Sequence, residues 1–349
     1  MTKKTILVAP LNWGLGHATR CVPIINALLN ANFKVVLASD GLAFQFLTNE
    51  FPSLTIFELA KLDVQYAKTK YGQGFNMLKQ IPKLYRFLAE DQSAIRHIAE
   101  QIEVNGIISD NRPGVYLKSI PSVYINHQLN VKSGFTSQLS SRLHQQQMKN
   151  FNEIWVPDEE NDPSLSGELG HFTLKDDRFK IQYLGWLSRL KPTTNEFYYD
   201  YCAVISGPEP QRSLFEKMVE DLFLKLPGKK ILISGSLSFV DQKIGFERRN
   251  MLNTTELNEI MHKSKKIICR SGYTSLMDLL RLQKPALLVP TPGQFEQEYL
   301  AKRMQELGWF LVCKQADFEQ KAAAILQNIP FNKLPDFKEK EIDFSIFLK

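Results

Sequence analysis

The stretch Ile267-Ile268-Cys269-Arg270-Ser271-Gly272-Tyr273-Thr274-Ser275-Leu276-Met277-Asp278 joins an apolar run to a Ser-Gly turn and then to a helical pattern. A buried strand followed by such a turn is typical of nucleotide-binding α/β units, because the helix start offers backbone amides and the positive end of the helix dipole. The hydroxyl groups at positions 274 and 275 add further donors. The stretch therefore predicts a diphosphate site.

Strand and helix patterns alternate on both sides of this stretch, which predicts parallel, doubly wound α/β sheets. The alternation stops after Trp186, where Lys191-Pro192-Thr193-Thr194-Asn195 has no periodic apolar pattern and contains a helix breaker. We therefore predict two Rossmann-like domains, residues 1–188 and 196–335, facing each other across a cleft. Residues 336–349 are charged and weakly periodic, so they form either a helix crossing back to the first domain or a frayed tail.

Composition indicates a folded, water-soluble protein. Of the 349 residues, 44% are apolar and 23% charged, which is the ordinary globular range. The N-terminus does not read as a signal peptide, and no apolar run approaches the roughly 18 residues of a membrane span. The four cysteines lie in apolar segments, which favours free thiols in a reducing compartment and a cytoplasmic location. The net charge of +6 is spread along the chain, so no nucleic-acid partner is predicted.

The segment from Phe75 to Phe87 combines apolar residues with Lys79, Lys83 and Arg86 at approximately helical spacing. Two interpretations are open. A basic amphipathic helix could bind an anionic membrane, which would place the protein peripherally on the inner face of the cytoplasmic membrane. Alternatively, the helix packs on its own domain and leaves its basic face in solvent. In both interpretations Pro82 is unfavourable inside the helix.

A second glycine turn, Gly14-Leu15-Gly16-His17, follows the first strand. Its glycines allow close approach of the backbone to a ligand, and His17 would lie at the carboxyl edge of the sheet, where open α/β folds bind ligands. His17 is the candidate general base, the alternative being a residue that only caps the helix. The turn is not the dinucleotide fingerprint, since histidine follows the second glycine directly.

Polar residues follow two other strands of the first half. Asp110 ends a strand, so it should project to the same edge as His17, where a carboxylate could orient the imidazole or raise its basicity. The competing interpretation is that Asp110 caps Pro113-Gly114 and a following helix. The run Asn126-His127-Gln128 occupies the next position along the edge and is a candidate for contacting an acceptor.

In the second half, Asp278 lies one turn into the helix after the Ser-Gly turn, where it could accept hydrogen bonds from both hydroxyls of a ribose. The next strand ends in a loop, residues 291–298, rich in groups that could bind sugar hydroxyls. A purely structural capping role for all these residues would need several coincidences.

The run from Cys269 to Ala301 resembles the C-terminal donor-binding module of the family 28 glycosyltransferases, and the turn ending in His17 is similar to that family's N-terminal glycine-rich loop. The resemblance implies a GT-B fold and a UDP-sugar donor. It implies diphosphate contacts in the turn and at a loop after the first strand of the second domain, a ribose contact at Asp278, uracil contacts near Asn253, and sugar contacts in the loop 291–298. The candidate donor-binding residues are Gly14, Gly16, Ser206, Gly207, Asn253, Thr254, Arg270, Ser271, Gly272, Thr274, Ser275, Asp278, Gln294, Glu296 and Gln297.

The N-terminal loop departs from this family. Trp13 and Leu15 stand where the peptidoglycan enzymes have small residues, so sugar and acceptor need not be theirs. The run from Gly16 to Cys21 also resembles the UDP-sugar hydrolases of pseudaminic acid synthesis. Three functions therefore stay open: sugar transfer, UDP-sugar hydrolysis, and nucleotide-sugar binding without catalysis.

The favoured reaction is transfer with inversion, in which His17 deprotonates an acceptor hydroxyl that attacks the anomeric carbon as UDP leaves. The acceptor is unidentified, and a lipid-linked molecule of the cell envelope is one candidate. No Asp-x-Asp motif stands at a strand end, which disfavours a metal-dependent mechanism. We therefore expect no metal, and no cofactor beyond the UDP-sugar substrate.

Overall fold

The computed structural model describes residues 3–61, 73–130, 137–172, 177–193, 196–235, 245–330 and 334–348, without the side chains of residues 73–82 and 137–140. The chain forms two compact units. The first comprises Met1–Leu187 together with Lys338–Lys349, and the second comprises Ser188–Phe337.

The first unit contains a 7-stranded parallel sheet, as far as its described residues show, in the order β3-β2-β1-β4-β5-β6-β7. Its strands are β1 (Thr5–Pro10), β2 (Lys34–Ser39), β3 (Thr55–Glu58), β4 (Gly106–Asp110), β5 (Ser122–Ile125), β6 (Glu153–Val156) and β7 (Ile181–Tyr183), and its helices are α1 (Gly16–Asn30), α2 (Gly41–Glu50), α3 (Gln73–Gln101) and α4 (Ser137–Met148).

The second unit repeats this plan with a 6-stranded parallel sheet in its described part, in the order β10-β9-β8-β11-β12-β13. Its strands are β8 (Tyr199–Val204), β9 (Lys230–Ile233), β10 (Glu247–Arg249), β11 (Ser264–Cys269), β12 (Ala286–Leu288) and β13 (Leu311–Val312), and its helices are α5 (Gln211–Lys225), α6 (Thr254–His262), α7 (Tyr273–Leu282), α8 (Phe295–Glu306) and α9 (Phe318–Gln327).

Burial explains why these segments form central parallel strands. Every residue of β1 is buried, because helices cover both faces of a doubly wound sheet and select continuous apolar runs. In both sheets the strand order reverses between the first and fourth strands, β1 and β4 in one unit and β8 and β11 in the other. Such a reversal opens a crevice at the carboxyl ends of the strands. The predicted pair of Rossmann-like α/β sheets is therefore confirmed.

Several elements differ from the sequence-based expectations. Helix α3 runs without a break through Pro82. The structure also contains α2, β7 and β10, which were not predicted because the sequence has no clear periodic pattern there. The segment after Leu190 is bound within the second unit: Lys191 N donates to Asn258 Oδ1 at 3.0 Å, and His262 Nε2 lies 2.9 Å from Lys191 O. These contacts hold Lys191, the first residue of the predicted linker, against α6, and residues 194–195 of that linker lie outside the described residues.

The C-terminal segment packs on the first unit without forming an α-helix. Phe344 and Phe347 place their rings 5.9 and 6.1 Å from that of Trp155. Lys4 Nζ donates to Phe347 O at 2.9 Å, and the phenyl ring of Phe347 occupies the space where a side chain on Gly106 would lie. The tail is thus part of the first unit's core.

A buried ionic cluster joins three elements of the first unit. The Arg112 guanidinium donates to both carboxylate oxygens of Asp91 on α3, with Nε at 3.0 Å from each, and Nη1 lies 2.6 Å from Asp40 Oδ1. Nη2 also donates to Ala60 O at 2.7 Å. Burial raises the pKa of Asp91 to about 6 despite the arginine. One guanidinium therefore binds two carboxylates and fixes the loop after β4.

We predict that Arg112→Met lowers the free energy of unfolding by about 3–5 kcal/mol, because it leaves two buried carboxylates without their cation. The control is Arg86→Met, which breaks an exposed pair with Glu90 on α3 and should cost about 0.5 kcal/mol or less. Urea unfolding of both variants measures the difference. Equal losses in the two would contradict this account of the cluster.

Candidate functional site

His17 and Asp110 meet at the strand-order reversal of the first unit. Pro10 at the end of β1 pairs in register with Asp110 at the end of β4, so the turn after β1 lies beside that carboxylate. His17 Nδ1 is 2.7 Å from Asp110 Oδ1. The imidazole is 12% exposed and the carboxylate is fully buried. The structure thus brings together the two residues predicted to form the base and its orienting partner, and their catalytic roles remain predictions.

Neither structural alternative accounts for these side chains. Helix α1 begins at Gly16 after Leu15, and no side-chain hydrogen bond caps it, so His17 is not a capping residue. Residues Pro113 and Gly114 lie in a turn that no helix follows. The carboxylate of Asp110 instead accepts from Arg20, whose Nε lies 2.6 Å from Oδ2.

Electrostatics keep this pair in a base-competent state. Burial alone would raise the pKa of Asp110, but the charges of Arg20 and His17 outweigh it and lower that pKa to about 2. Burial and the Arg20 cation lower the pKa of His17, against the opposing effect of Asp110. At neutral pH the aspartate is therefore ionised and the imidazole neutral, as a general base requires.

The sequence analysis assigned no role to Arg20, although this residue lies within the run from Gly16 to Cys21. It lies on α1 one turn after His17 and is 1% exposed. Its Nη1 lies 2.7 Å from His127 Nδ1, which brings the polar run after β5 into the same network. The sequence did contain a signal that Arg20 lies near His17: the two residues are three positions apart, which puts both side chains on one helix face.

Asn126 and Gln128, the other residues of the run Asn126-His127-Gln128, make hydrogen bonds within the protein. Asn126 Nδ2 lies 2.5 Å from His144 Nε2, and Asn126 Oδ1 accepts from Gln128 N at 2.8 Å. The side chain of Asn126 therefore shapes the loop, and acceptor contacts in this run remain a prediction.

In the second unit, helix α7 begins directly after Gly272. The backbone of Gly272 is extended, with φ −75° and ψ 144°, a conformation that any residue adopts. A Cβ added there would meet nothing nearer than Ser275 Oγ at 3.8 Å. Neither the backbone conformation nor the packing therefore requires glycine at this helix start. A ligand that approaches the backbone closely would require it. Thr274 and Ser275 are half-buried beside it.

Two further glycine turns lie at the carboxyl edges of the sheets. Gly14, after β1, has φ +76°, and Gly207, after β8, has φ +110°. Both angles favour glycine, and no atom lies within 4 Å of an added Cβ at either position. Gly207 and the half-buried Ser206 follow the strand that pairs with β11, so they lie at the same edge as Gly272.

Arg270 is a buried cation between β11 and this turn. It is 1% exposed, and its partners are the carbonyl oxygens of Gln211, Val289 and Pro290 and the ring of Phe215. Its Nε has no hydrogen-bond partner among the described residues. Burial lowers its pKa to about 10, so it stays charged at neutral pH. A cation without a carboxylate partner favours an anionic ligand nearby.

Three residues predicted to contact the donor have side-chain partners within the protein. The Ser271 hydroxyl is buried and donates to Gln297 O at 2.9 Å. The side-chain oxygen of Gln297 accepts from Thr291 N at 2.9 Å. One oxygen of Asp278 accepts from Ser188 Oγ at 2.5 Å. These bonds tie the turn, α7 and α8 together, and the donor contacts of Ser271, Gln297 and Asp278 stay predictions.

The residues predicted near uracil also have structural partners. Asn253 Oδ1 accepts from Glu256 N at 2.9 Å and Glu256 Oε2 accepts from Asn253 N at 3.1 Å, a capping box at the start of α6. Thr254 Oγ1 lies 3.2 Å from Arg189 Nη1. A base contact at Asn253 would thus have to use its Nδ2. Gln294 and Glu296 are half-buried at the start of α8, where the sugar contacts were predicted.

Solved structures resemble the whole chain. The spinosyn rhamnosyltransferase complexed with thymidine diphosphate is 15% identical with a TM-score of 0.62, and the alignment covers 93% of this chain and 92% of that one. MurG of Acinetobacter baumannii is 14% identical with a TM-score of 0.53, covering 94% and 91%. The chain therefore has the GT-B fold, with two Rossmann-like domains.

Sequence comparisons define the class further. Residues 203–343 match the glycosyltransferase family 28 C-terminal domain. A UDP-N-acetylglucosamine--N-acetylmuramyl-(pentapeptide) pyrophosphoryl-undecaprenol N-acetylglucosamine transferase of Clostridium tetani is 22% identical over 333 residues, covering 92% of this chain and 88% of the relative. The protein is a family 28-like glycosyltransferase that uses a nucleotide-sugar donor, and the predicted resemblance is confirmed.

We predict that Gly272→Ala weakens UDP binding about tenfold or more without unfolding the protein. A methyl group at this helix start would hold the diphosphate away from the amides, and each hydrogen bond to a charged group is worth about 1.5–3 kcal/mol. Calorimetric titration with UDP measures the affinity.

The matched control is Gly308→Asn, at the opposite edge of the same sheet. Nothing lies within 4 Å of an added Cβ there, and asparagine tolerates its φ of +69°. Unchanged UDP affinity in a folded Gly272→Ala protein would show that the diphosphate does not bind at this turn.

Proposed function

We propose that the protein transfers a sugar from a UDP-sugar to a hydroxyl acceptor, with inversion at the anomeric carbon and without a metal ion. The observation that carries this proposal is the hydrogen bond of 2.7 Å between His17 Nδ1 and the buried Asp110 carboxylate, which makes His17 a candidate base. The donor site proposed with it is the helix start at Gly272.

Positive charge for the leaving diphosphate comes from the chain itself in this proposal. The amides at the start of α7 and the dipole of that helix favour an anion. Arg270, a buried cation whose partners among the described residues are carbonyl oxygens and an aromatic ring, adds a full charge at the same edge. These groups could stabilise the charge that develops on UDP, which supports transfer without a metal.

His17 takes the proton in the proposed step. With its Nδ1 proton held by Asp110, its Nε2 lone pair removes the proton of the acceptor hydroxyl. The hydroxyl oxygen bonds to the anomeric carbon, the bond to the diphosphate oxygen breaks, and its electron pair leaves with UDP. Displacement by a single in-line attack inverts the anomeric carbon.

For the acceptor, we propose a lipid-linked molecule. The Clostridium tetani relative is named for an acceptor that carries pyrophosphoryl-undecaprenol, and the proposal extends that class to this chain. Trp13, 45% exposed beside Gly14, gives this loop a large aromatic surface of its own. We therefore expect the acceptor to differ from that of the peptidoglycan enzymes.

We predict that His17→Ala lowers kcat for transfer by about 10²–10⁴ and leaves UDP affinity unchanged, because general base catalysis contributes a factor of that size. Activity of the wild type should fall with a midpoint below pH 6.5, since the pKa of His17 is lowered. The control is His97→Ala, which replaces an exposed histidine of α3. Full transfer activity in His17→Ala would refute the assignment of the base.

Two further measurements separate this function from its rivals. Incubation of the protein with UDP-sugars but no acceptor should release little free sugar, whereas rapid stoichiometric release would establish a hydrolase. Excess EDTA should leave the transfer rate unchanged, and loss of activity restored by a divalent cation would overturn the metal-independent mechanism.

We also propose that α3 makes a peripheral contact with an anionic membrane. In the part of the chain that the structure describes, no helix is both long enough and apolar enough to cross a bilayer. On α3, Leu84 and Tyr85 are 44% and 60% exposed, beside the exposed Lys83 and Arg86. Of the predicted amphipathic segment, the side chains before Lys83 lie outside the described residues. Exposed apolar groups flanked by cations suit an anionic lipid surface.

We predict that the double variant Leu84→Ser/Tyr85→Ser lowers binding to phosphatidylcholine–phosphatidylglycerol vesicles about tenfold, because burial of one large apolar side chain is worth about 1.5–3 kcal/mol. Vesicle sedimentation measures the bound fraction. Leu143→Ser, which changes a comparably exposed leucine of α4, is the control. Equal binding of all three proteins would place the membrane contact elsewhere or exclude it.

A further inference from the structure

One buried guanidinium group contacts three titratable side chains of the proposed base site. Arg20 Nε and Nη2 both donate to the Asp110 carboxylate. Nη1 lies 2.7 Å from His127 Nδ1, and Nη2 lies 2.9 Å from His17 Nδ1. Arg20 therefore links two imidazoles that come from different elements, one from α1 and one from the loop after β5.

These contacts determine where the imidazole protons lie. A guanidinium has only donors, so His127 Nδ1 accepts from Arg20 and the proton of a neutral His127 must be on Nε2. His17 Nδ1 lies 2.7 Å from Asp110 Oδ1, and an ionised carboxylate only accepts. An unprotonated Nδ1 would set its lone pair against that oxygen. Arg20 Nη2 also lies 2.9 Å from this nitrogen, which by itself would favour the other tautomer, but Nη2 donates to Asp110 Oδ1 as well. Asn111 Nδ2, a donor, lies 3.5 Å from Nε2, which favours a lone pair there. We therefore assign the proton of His17 to Nδ1, which gives the two histidines opposite tautomers.

The same guanidinium determines the charge of the site. A buried carboxylate needs a compensating cation, and Arg20 supplies it through two hydrogen bonds. His17 is therefore not required as the counter-ion. The charged and titratable groups that face His17 are Arg20, Asp110 and His127, and Asn111 Nδ2 lies 3.5 Å from its Nε2.

We propose that Arg20 is a positioning residue of the transfer reaction, which holds Asp110 as a carboxylate and His17 as a neutral base whose lone pair is on Nε2. The proposal rests on the proposed role of His17. Arg20 touches neither donor nor acceptor in this account, and it acts through the two residues that it binds. A lysine could keep the positive charge but could not donate in a fixed plane to three partners.

The test is side-chain NMR of the free protein with ¹⁵N-labelled histidine, which reads tautomers and pKa values without any substrate. The wild type should show His17 protonated on Nδ1 and His127 on Nε2. In Arg20→Met the pKa of His17 should rise by about 1 unit or more, because a neighbouring cation is lost and Asp110 then favours the imidazolium. Arg20→Lys should keep the pKa of His17 close to the wild-type value and lose the fixed tautomer of His127.

The kinetic counterpart is the pH profile of kcat/KM. In Arg20→Met the acid limb should move to higher pH by the same amount, so that activity is lost mainly below neutral pH. A merely structural role would lower activity equally at all pH values. Arg96→Met, which replaces an exposed arginine near the C-terminal end of α3, should leave the profile unchanged.

Two results would overturn the proposal: a wild-type His17 protonated on Nε2, or an unchanged pKa of His17 in a folded Arg20→Met protein. The wild-type spectrum decides the matter even where the methionine variant does not fold. Retained transfer in His17→Ala would instead refute the proposed base, while the spectra would still report on Arg20.

Discussion

The reversal of strand order in each parallel sheet is the constraint on which the rest of the structure depends. Where neighbouring strands send their connections to opposite faces, the loops at their carboxyl ends separate and leave a crevice. In the first unit this point lies between β1 and β4, and it brings the turn before His17 to Asp110. In the second it lies between β8 and β11, and it brings Gly207 to the same edge as Gly272. Both candidate sites therefore follow from topology before any side chain is considered.

The carboxyl edges of the two sheets differ in the partners of their buried charged side chains. In the first unit the charges are paired: Arg20 with Asp110, and Arg112 with Asp40 and Asp91. Beside the first pair the imidazole of His17 is neutral, as the proposed general base requires. In the second unit, within the described residues, Arg270 contacts carbonyl oxygens and an aromatic ring instead of a carboxylate. The first edge is thus suited to proton transfer and the second to binding an anion, which is the division of labour that sugar transfer from a diphosphate donor requires.

The sequence was sufficient to predict the fold and which residues lie at the carboxyl edges of the sheets, because both depend on local pattern. Apolar runs and glycine turns repeat in both halves, and a residue that ends a parallel strand must lie at the carboxyl edge. On that basis His17 and Asp110 could be expected to be neighbours, and their contact of 2.7 Å fits that reasoning. The capping box at Asn253 also had a local signal, since glutamate follows three residues later.

Long-range side-chain partners could not be predicted in the same way. The bonds from Ser271 to Gln297 and from Ser188 to Asp278 join residues distant in sequence, and only packing decides which polar groups face inward. Arg20 was overlooked because an arginine on an otherwise apolar helix face reads as a solvent-exposed residue until its buried carboxylate is known.

A crystal structure of the protein with UDP would test the central claim most directly. The account predicts that diphosphate oxygens lie within about 3 Å of the backbone amides at the start of α7, the distance of an ordinary hydrogen bond, with Arg270 unchanged behind the turn. A nucleotide bound away from the carboxyl edge of the second sheet, with those amides facing only the protein, would contradict the account.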